Sequence, residues 1–206
     1  MLVLRPIVQE EPWANGYLLI EGHHALMIDA VHVDQTVRDA LSQRHITLDM
    51  ILLTHGHYDH IVGLPHWNHH PCVIYLHPLD DQFLLDPKLN GSATLGSDLI
   101  VHQKTQAILH HQTIHWQGHA ITVLHTPFHT PGSVCYHLIK EAMIFTGDTL
   151  FKQGIGRTDL PLSNNNLVKK SLKTLMALTK TTDVYPGHGD PTTIQKEWAT
   201  MQSMMR

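Results

Sequence analysis

The chain has 206 residues, 42% of them hydrophobic, two cysteines and a formal net charge of −4. This composition predicts a folded globular protein and, with no long run of Lys or Arg, argues against a nucleic-acid partner. No segment approaches the roughly 20 apolar residues that span a bilayer, and the N-terminus lacks the apolar stretch of a signal peptide. Two cysteines make no disulfide framework. We therefore expect a cytoplasmic protein with no membrane partner and no indicated oligomeric state.

The first half of the chain predicts a β-hairpin, a helix and two strands that are covered on both faces. Asp34 has the residue type of a helix N-cap, and this helix is expected to end near Arg44. Residues 78–105 are rich in turn formers, and a loop of this length is usually functional or mobile. The predicted elements are strands at 17–20, 25–29, 50–53 and 73–76, the helix, and a helical turn at 80–85.

The second half returns to strands and closes with a helix and one short strand. The two halves are expected to meet near residues 110–118 within a single domain spanning 1–206. Two groups of strands, each followed by a helix, predict two packed sheets with helices outside. The fold class is thus α+β, a four-layer αββα sandwich. The predicted elements are strands at 120–124, 134–139 and 142–145, a helix at 164–178 and a strand at 183–185.

The segment at residues 52–63 concentrates chemistry in the sequence LLTHGHYDHIVG. In a chain with 20 histidines, such a cluster has a chance probability of about one in a hundred. His55 and His57 lie two apart after a buried strand, so both can turn toward one metal ion. Asp59 and His60 follow and can face a second ion. Four ligands do not complete two metal sites, so the motif predicts further ligands elsewhere.

Three further candidates each follow a predicted strand. His129 lies in the turn TPFHTPGS, Asp148 comes directly after the strand at 142–145, and His188 lies in YPGHG after the last strand. Loops at the ends of strands can project side chains into a shared cleft. Together with the first motif, these residues predict a two-metal site.

These motifs resemble the metallo-β-lactamase superfamily, from the hairpin near Tyr17 to YPGHGDPTTI at 185–194. The resemblance covers nearly the whole chain and implies an αββα sandwich with two divalent metal ions. Zinc is the expected metal, with iron or manganese as alternatives. The ligands it implies are His55, His57 and His129 for one ion, Asp59, His60 and His188 for the other, and Asp148 as the bridge between them.

Within the superfamily, the segments at 146–161 and 184–194 are similar to small glyoxalase II-like hydrolases, which cleave thioesters such as S-lactoylglutathione. The substrate is therefore expected to be a small-molecule thioester. Arg157 falls where glyoxalase II enzymes carry a basic residue near the glutathione site, which implies a substrate contact. The alternative for this residue is an internal ion pair with Asp159.

Two departures from the family pattern carry expectations of their own. Longer glyoxalase II enzymes have a C-terminal helical domain that contributes glutathione contacts, whereas this sequence ends about eighteen residues after His188, so no such domain is expected. Phe128 stands where the family turn has a glycine. This replacement predicts a changed pocket wall with the ligand His129 retained.

The expected mechanism is attack of a metal-bridging hydroxide on the acyl carbonyl, with Asp59 as the catalytic residue that orients it. A thiol leaving group has a pKa of about 8.5 and departs as thiolate with little help from a general acid, which suits a thioester better than an amide. The resemblance leaves other functions open. A β-lactamase or another ester or lactone hydrolase is less favoured, because the common β-lactamase class has cysteine at the position of Asp148.

The main rival is an oxidoreductase. Persulfide dioxygenases resemble the sequence around the metal site and use one iron bound by two histidines and one carboxylate. A non-catalytic metal-binding module would be favoured only if ligands were missing, and all seven are present. In the persulfide dioxygenase alternative, the iron ligands would be His55, His129 and Asp148.

Overall fold

A computed structural model describes residues 1–7, 13–32, 35–68 and 70–205, without the side chains of residues 35 and 36. The chain forms two compact units. Met1–Leu76 and Asp81–Ala107 make up the first unit, and His77–Asp80 and Ile108–Arg206 make up the second. The single-domain organisation, with a junction near 110–118, stays a prediction.

The first unit contains a mixed six-stranded sheet. Its strands are β1 (Val3–Ile7), β2 (Gly16–Glu21), β3 (His24–Ile28), β4 (Thr47–Leu52), β5 (Val73–Leu76) and β6 (Thr105–Ala107). They lie in sequential order, antiparallel from β1 to β3 and parallel from β3 to β6. Parallel register aligns Ile28 with Leu52 and Leu52 with Tyr75. The residues that follow these strands therefore leave the sheet side by side.

Short helices connect the strands of the first unit. They are α1 (Gln35–Gln43), α2 (Tyr58–Ile61) and α3 (Asp81–Leu85), with 3₁₀ turns at Leu64–Trp67 and Ser92–Leu95. Leu41 of α1, Ile61 of α2 and Leu84 of α3 are buried with Met27 and Ile51 of the sheet in one hydrophobic cluster. Burial of these apolar side chains is the main force that holds the helices on the sheet.

The second unit contains another mixed six-stranded sheet. Its strands are β7 (Thr113–Trp116), β8 (His119–His125), β9 (Val134–Leu138), β10 (Met143–Gly147), β11 (Asp183–Pro186) and β12 (Thr192–Thr193). Their spatial order is sequential from β7 to β12. The pair β10–β11 is parallel, and the other neighbouring strands are antiparallel.

Two helices and two 3₁₀ turns complete the second unit. They are α4 (Val168–Met176), α5 (Trp198–Met204), and the turns at Pro78–Asp80 and Asn165–Leu167. Leu172 and Leu175 of α4 and Met201 of α5 are fully buried in a cluster with Ile144 and Val184 of the sheet. The spacing of Leu172 and Leu175 puts both on one face of the helix, as the sequence predicted.

The predicted hairpin, interior strands, helical turn at 80–85 and helix before β11 are confirmed. The helix predicted to end near Arg44 is α1, which ends at Gln43. Its predicted N-cap, Asp34, lies outside the described residues. Four strands were not predicted, namely β1, β6, β7 and β12, and they are the edges of the two sheets. None of the helices described is long and apolar enough to cross a membrane.

Candidate metal centre

Four of the predicted ligands lie in the first unit, directly after β4. His55, His57 and His60 are buried, and the Asp59 side chain keeps 24% of its surface exposed. The ring centroids of His55 and His60 are 4.1 Å apart, and those of His55 and His57 are 4.9 Å apart. Ligand atoms of Asp59 and His60 lie within 4.8 Å of each other. The first unit thus gathers the side chains of four predicted ligands in one place.

Asp29 orients two of these histidines. It follows β3, and its Oδ1 accepts a hydrogen bond from the Thr54 backbone N–H at 2.7 Å. Its Oδ2 accepts from the Thr54 hydroxyl at 2.8 Å and from His60 Nδ1 at 2.8 Å. Because Thr54 gives its only hydroxyl hydrogen to Asp29, its oxygen accepts from His55 Nδ1 at 3.1 Å. Both rings therefore carry hydrogen on Nδ1, which places the lone pair of each neutral ring on Nε2.

The sequence did not identify Asp29 or Thr54 as functional residues. The signal was present, because Asp29 is an acid directly after a buried apolar strand, the same pattern that identified Asp148. Asp29 also adopts a φ of 58°, which aspartate tolerates better than most residues. Its role depends on the parallel alignment of β3 with β4, which brings residues 29 and 54 together.

The remaining three predicted ligands lie in the second unit, around Asp148. Nε2 of His129 is 3.2 Å from Asp148 Oδ2, and Nε2 of His188 is 3.7 Å from the same oxygen. The parallel pair β10–β11 aligns Gly147 with Pro186 and brings Asp148 and His188 out at the same end of the sheet. The carboxylate therefore lies within reach of both imidazoles.

The hydrogen bonds around His129 show that this group suits a metal ion. Its Nδ1 donates to the backbone oxygen of Arg157 at 2.9 Å, so Nε2 of the neutral ring carries a lone pair. That lone pair faces the Asp148 carboxylate, and a cation between the two atoms removes their repulsion. Two ligands about 2.0–2.1 Å from a tetrahedral zinc ion lie about 3.3 Å apart. The His129–Asp148 separation of 3.2 Å matches this value.

The loop after Asp148 folds back over these ligands and requires a glycine. The backbone N–H of Gly156 donates to the Asp148 carbonyl at 2.9 Å. A Cβ atom at Gly156 would lie 2.2 Å from that carbonyl oxygen and 2.9 Å from Nδ1 of His129. No side chain fits at this approach. Ser163 adds a further restraint, because its hydroxyl donates to the His129 carbonyl at 2.7 Å.

Arg157 forms the ion pair that the sequence offered as an alternative to a substrate contact. Its Nε and Nη2 donate to the two carboxylate oxygens of Asp159, each at 2.9 Å. Hydrogen bonding to Asp159 raises the pKa of the Arg157 guanidinium, and the same bond lowers the pKa of Asp159. The guanidinium keeps 68% of its side-chain surface exposed. A substrate contact of Arg157 stays a prediction.

Phe128 does not form a pocket wall, and that prediction is wrong. Its side chain is 1% exposed and lies in the hydrophobic cluster with Leu172 and Ile144. The apolar ring gains more from burial in this core than from a position facing solvent. His129, which follows it, stays a predicted ligand.

The amino-acid sequence matches a known protein family over most of its length. The family model described as the metallo-β-lactamase superfamily matches residues 14–188. The chain is 33% identical over 190 residues to the probable metallo-hydrolase YqgX of Bacillus subtilis (strain 168), covering 89% of both proteins. It is 33% identical over 158 residues to a hydroxyacylglutathione hydrolase of Rhizobium meliloti (strain 1021), covering 75% of this chain and 54% of that protein.

Solved structures agree with the family match. BLEG-1 B3 metallo-β-lactamase superposes with a TM-score of 0.90 at 32% identity, covering 99% of this chain and 100% of that one. TTHA1623 in a di-iron-bound form gives 0.83 at 29%, covering 95% and 98%. ETHE1 from Myxococcus xanthus gives 0.76 at 25%, covering 98% and 84%. The predicted α+β class, with two mixed sheets and helices, is confirmed.

Proposed function

The chain belongs to the metallo-β-lactamase superfamily, and on this premise we propose that it is a binuclear metal-dependent hydrolase of thioesters such as S-lactoylglutathione. The observation that carries the metal dependence is the pair His129 Nε2 and Asp148 Oδ2, which face each other at 3.2 Å. The thioester class is supported by the 33% identity to a hydroxyacylglutathione hydrolase. The substrate would be a small molecule, without a nucleic-acid or membrane partner.

We propose that the ligands of both units act on the same two divalent ions. The chemistry of the donors supports this assignment, because imidazole nitrogens and carboxylate oxygens are the ligands of zinc, iron and manganese. A relative at 29% identity holds two irons, so iron is a candidate beside zinc. The proposed ligands are His55, His57 and His129 for one ion, Asp59, His60 and His188 for the other, and Asp148 for both.

The chain's own residues would hold the reacting groups in place. When bound, two divalent ions would lower the pKa of a water molecule and polarise the acyl carbonyl. Asp59 lies with Oδ2 3.8 Å from His60 Nε2, so one oxygen can bind metal while the other accepts a hydrogen bond from the attacking water. Asp29 and the Arg157 carbonyl accept from Nδ1 of His60 and His129, which places the lone pair of each neutral imidazole tautomer on Nε2, the nitrogen that would bind metal.

A thioester fits this arrangement better than an amide. Its leaving group is a thiol with a pKa of about 8.5, which departs as thiolate without a dedicated acid. Amide cleavage expels a far more basic nitrogen and needs a proton donor at the leaving group. The proposal needs only the nucleophile and the polarised carbonyl.

Two other functions are alternatives to thioester hydrolysis. The match to ETHE1 at 25% identity keeps a mononuclear iron oxidoreductase as the main alternative, with His55, His129 and Asp148 as iron ligands. The match to BLEG-1 B3 metallo-β-lactamase keeps β-lactam hydrolysis as a second. The oxidoreductase predicts one iron per chain and consumption of oxygen, whereas the β-lactamase predicts hydrolysis of a cephalosporin.

The experiment is metal analysis of the purified protein together with a substrate panel. The panel contains S-lactoylglutathione, other acyl-glutathiones, acyl-coenzyme A, a chromogenic cephalosporin, and glutathione persulfide with oxygen consumption recorded. We expect two metal ions per chain, hydrolysis of a thioester, loss of activity with a chelator and recovery with zinc. Asp148→Ala should lose both full metal loading and activity. One iron per chain with oxygen consumption would instead identify the oxidoreductase, and a variant that kept metal and activity would contradict the ligand assignment.

A further inference from the structure

The turn that follows His129 is fixed by a carboxylate from a distant part of the sequence. Asp80, at the end of the 3₁₀ turn Pro78–Asp80, is 0% exposed. Its Oδ2 accepts from the Thr130 hydroxyl at 2.7 Å, and its Oδ1 accepts from the Gly132 backbone N–H at 2.6 Å. We propose that Asp80 is a positioning residue for His129, an inference that rests on the proposed function because it treats His129 as a metal ligand.

The direction of the hydrogen bonds makes Asp80 the end point of the network. Thr130 gives its single hydroxyl hydrogen to Asp80, so the Ser133 hydroxyl donates to Thr130 Oγ1 at 2.7 Å. The Ser133 oxygen in turn accepts from the Thr130 backbone N–H at 3.0 Å. Removing the Asp80 carboxylate leaves the Thr130 hydroxyl and the Gly132 N–H without their acceptor. The direction of the hydrogen bond between the Thr130 and Ser133 hydroxyls then reverses.

The same turn is anchored to the strand that precedes His129. The Ser133 carbonyl accepts from the Thr126 backbone N–H at 2.8 Å, next to the end of β8. His129 lies between these two anchored positions, at 126 and 133. With Asp80 in place, the backbone on both sides of the ligand is held, and the ring is held separately through Nδ1 by the Arg157 carbonyl.

The glycine at position 132 is matched to the carboxylate. A Cβ atom there would lie 2.6 Å from Asp80 Oδ1 and 2.7 Å from Asp80 Cγ. The carboxylate reaches the backbone N–H because no side chain occupies this space. The Asp80 side chain thus occupies the space that a side chain at position 132 would need. A substitution at either position should therefore displace the turn that carries His129.

A positioning role for Asp80 and a general structural role predict different effects on the unfolding temperature and on metal binding. Loss of packing lowers the unfolding temperature and leaves the geometry of the folded metal site unchanged. Loss of a group that orients a ligand weakens metal binding by about 10–100-fold. The metal-free unfolding temperature and the zinc dissociation constant thus separate the two roles.

The test compares Asp80→Ala and Asp80→Asn with Leu172→Ala, a core substitution in the same unit. Zinc affinity is measured by competition with a chromophoric chelator, and the cobalt-substituted proteins are compared by absorption spectroscopy. We expect Asp80→Ala to weaken one zinc site by about 10–100-fold and to change the cobalt spectrum. Asp80→Asn should have a smaller effect, because its amide oxygen still accepts from Gly132. Leu172→Ala should lower the unfolding temperature and keep wild-type zinc affinity.

The outcomes separate this inference from the proposed function. Wild-type zinc affinity and an unchanged cobalt spectrum in Asp80→Ala would overturn the positioning role, as would equal weakening in Leu172→Ala. A wild-type protein that binds zinc without cleaving any thioester would contradict the proposed substrate class and leave the role of Asp80 standing. A wild-type protein that takes up no metal would overturn both.

Discussion

Nε2 of His129 and Oδ2 of Asp148 face each other at 3.2 Å, while Nδ1 of the same imidazole donates to the Arg157 carbonyl. These two atoms both carry lone pairs, so a proton or a metal ion between them removes their repulsion. We therefore expect a divalent ion to stabilise the fold, by about 2.7 kcal/mol at a free concentration 100 times its dissociation constant. Thermal unfolding with zinc and with a chelator measures the difference. Asp148→Ala is the control, and a wild-type unfolding temperature that ignores zinc would contradict the assignment.

Asp29 should matter to metal binding although it is not a proposed ligand. Asp29→Asn weakens the acceptor of His60 Nδ1 and disturbs the Thr54 bond that orients His55. We expect metal affinity to fall by about 10–100-fold. Asp49→Asn is the matched control, because Asp49 also pairs with a histidine of the first unit, His24, at 3.0 Å. Equal affinity losses in the two variants would argue against a specific role for Asp29.

Gly156 and Gly154 offer a comparison within one loop. Gly156→Ala forces a Cβ atom to within 2.2 Å of the Asp148 carbonyl oxygen, whereas an added Cβ at Gly154 meets no described atom within 4 Å. We expect Gly156→Ala to displace Asp148 and His129, to lose metal and to be destabilised by about 1–3 kcal/mol. Gly154→Ala should bind metal like the wild type. Metal content and urea unfolding measure both effects, and full metal loading of Gly156→Ala would refute the predicted clash.

His77 should make the fold less stable at acidic pH. Burial, with a further contribution from nearby His125, lowers the pKa of His77 from 6.5 to about 4. The two rings stack with centroids 4.2 Å apart. Because the folded-state pKa lies below the unfolded value, the contribution to stability is complete above pH 6.5 and is lost as the pH falls toward 4. Between pH 7.5 and pH 5.0 the loss should be on the order of 2 kcal/mol.

The measurement is urea unfolding of the wild type and His77→Gln at pH 7.5 and pH 5.0. The wild type should lose more stability than the variant between these values, since the variant has no ring to protonate in the unfolded state. His115→Gln, at an exposed position of β7, serves as the control and should follow the wild type. Identical pH dependence in all three proteins would contradict the lowered pKa of His77.

Arg157 can be tested against its own ion pair. If its guanidinium binds a substrate carboxylate, Arg157→Ala should raise KM for S-lactoylglutathione by about tenfold with kcat unchanged. Asp159→Ala removes the partner that holds Arg157 and should leave KM unchanged or lower it. Steady-state kinetics of the two variants decide between the roles. An unchanged KM in Arg157→Ala would leave Arg157 as a loop ion pair whose backbone carbonyl orients His129.

The sequence predicted the interior of each sheet and missed its edges. Interior strands such as β4 and β9 are apolar because both faces are covered, and that pattern is visible without a structure. Edge strands are short and partly exposed, as in β1, where Arg5 and Pro6 face solvent. Their identity as strands depends on pairing with a neighbour, which local composition does not report.

The residues of the candidate site also fall into two groups, those that the sequence predicted and those that it missed. The proposed ligands could be found because each follows an apolar strand and carries a metal-binding group. Asp29 shows the same pattern, but the contacts through which the supporting residues act could not be found in this way. Asp29 acts through Thr54, 25 residues away, and Asp80 acts through Thr130, 50 residues away. Such contacts are formed by the fold, and nothing in the spacing of one motif encodes them.

The assignment of His77–Asp80 to the second unit means that this unit is not a continuous piece of chain. A fragment beginning at Ile108 would contain Thr130 and Gly132 but not the carboxylate that receives their hydrogen bonds. The same would hold for any recombination that joined residues 108–206 to an unrelated first half. A transplanted second unit would therefore need residues 77–80 as well, because they include the Asp80 carboxylate.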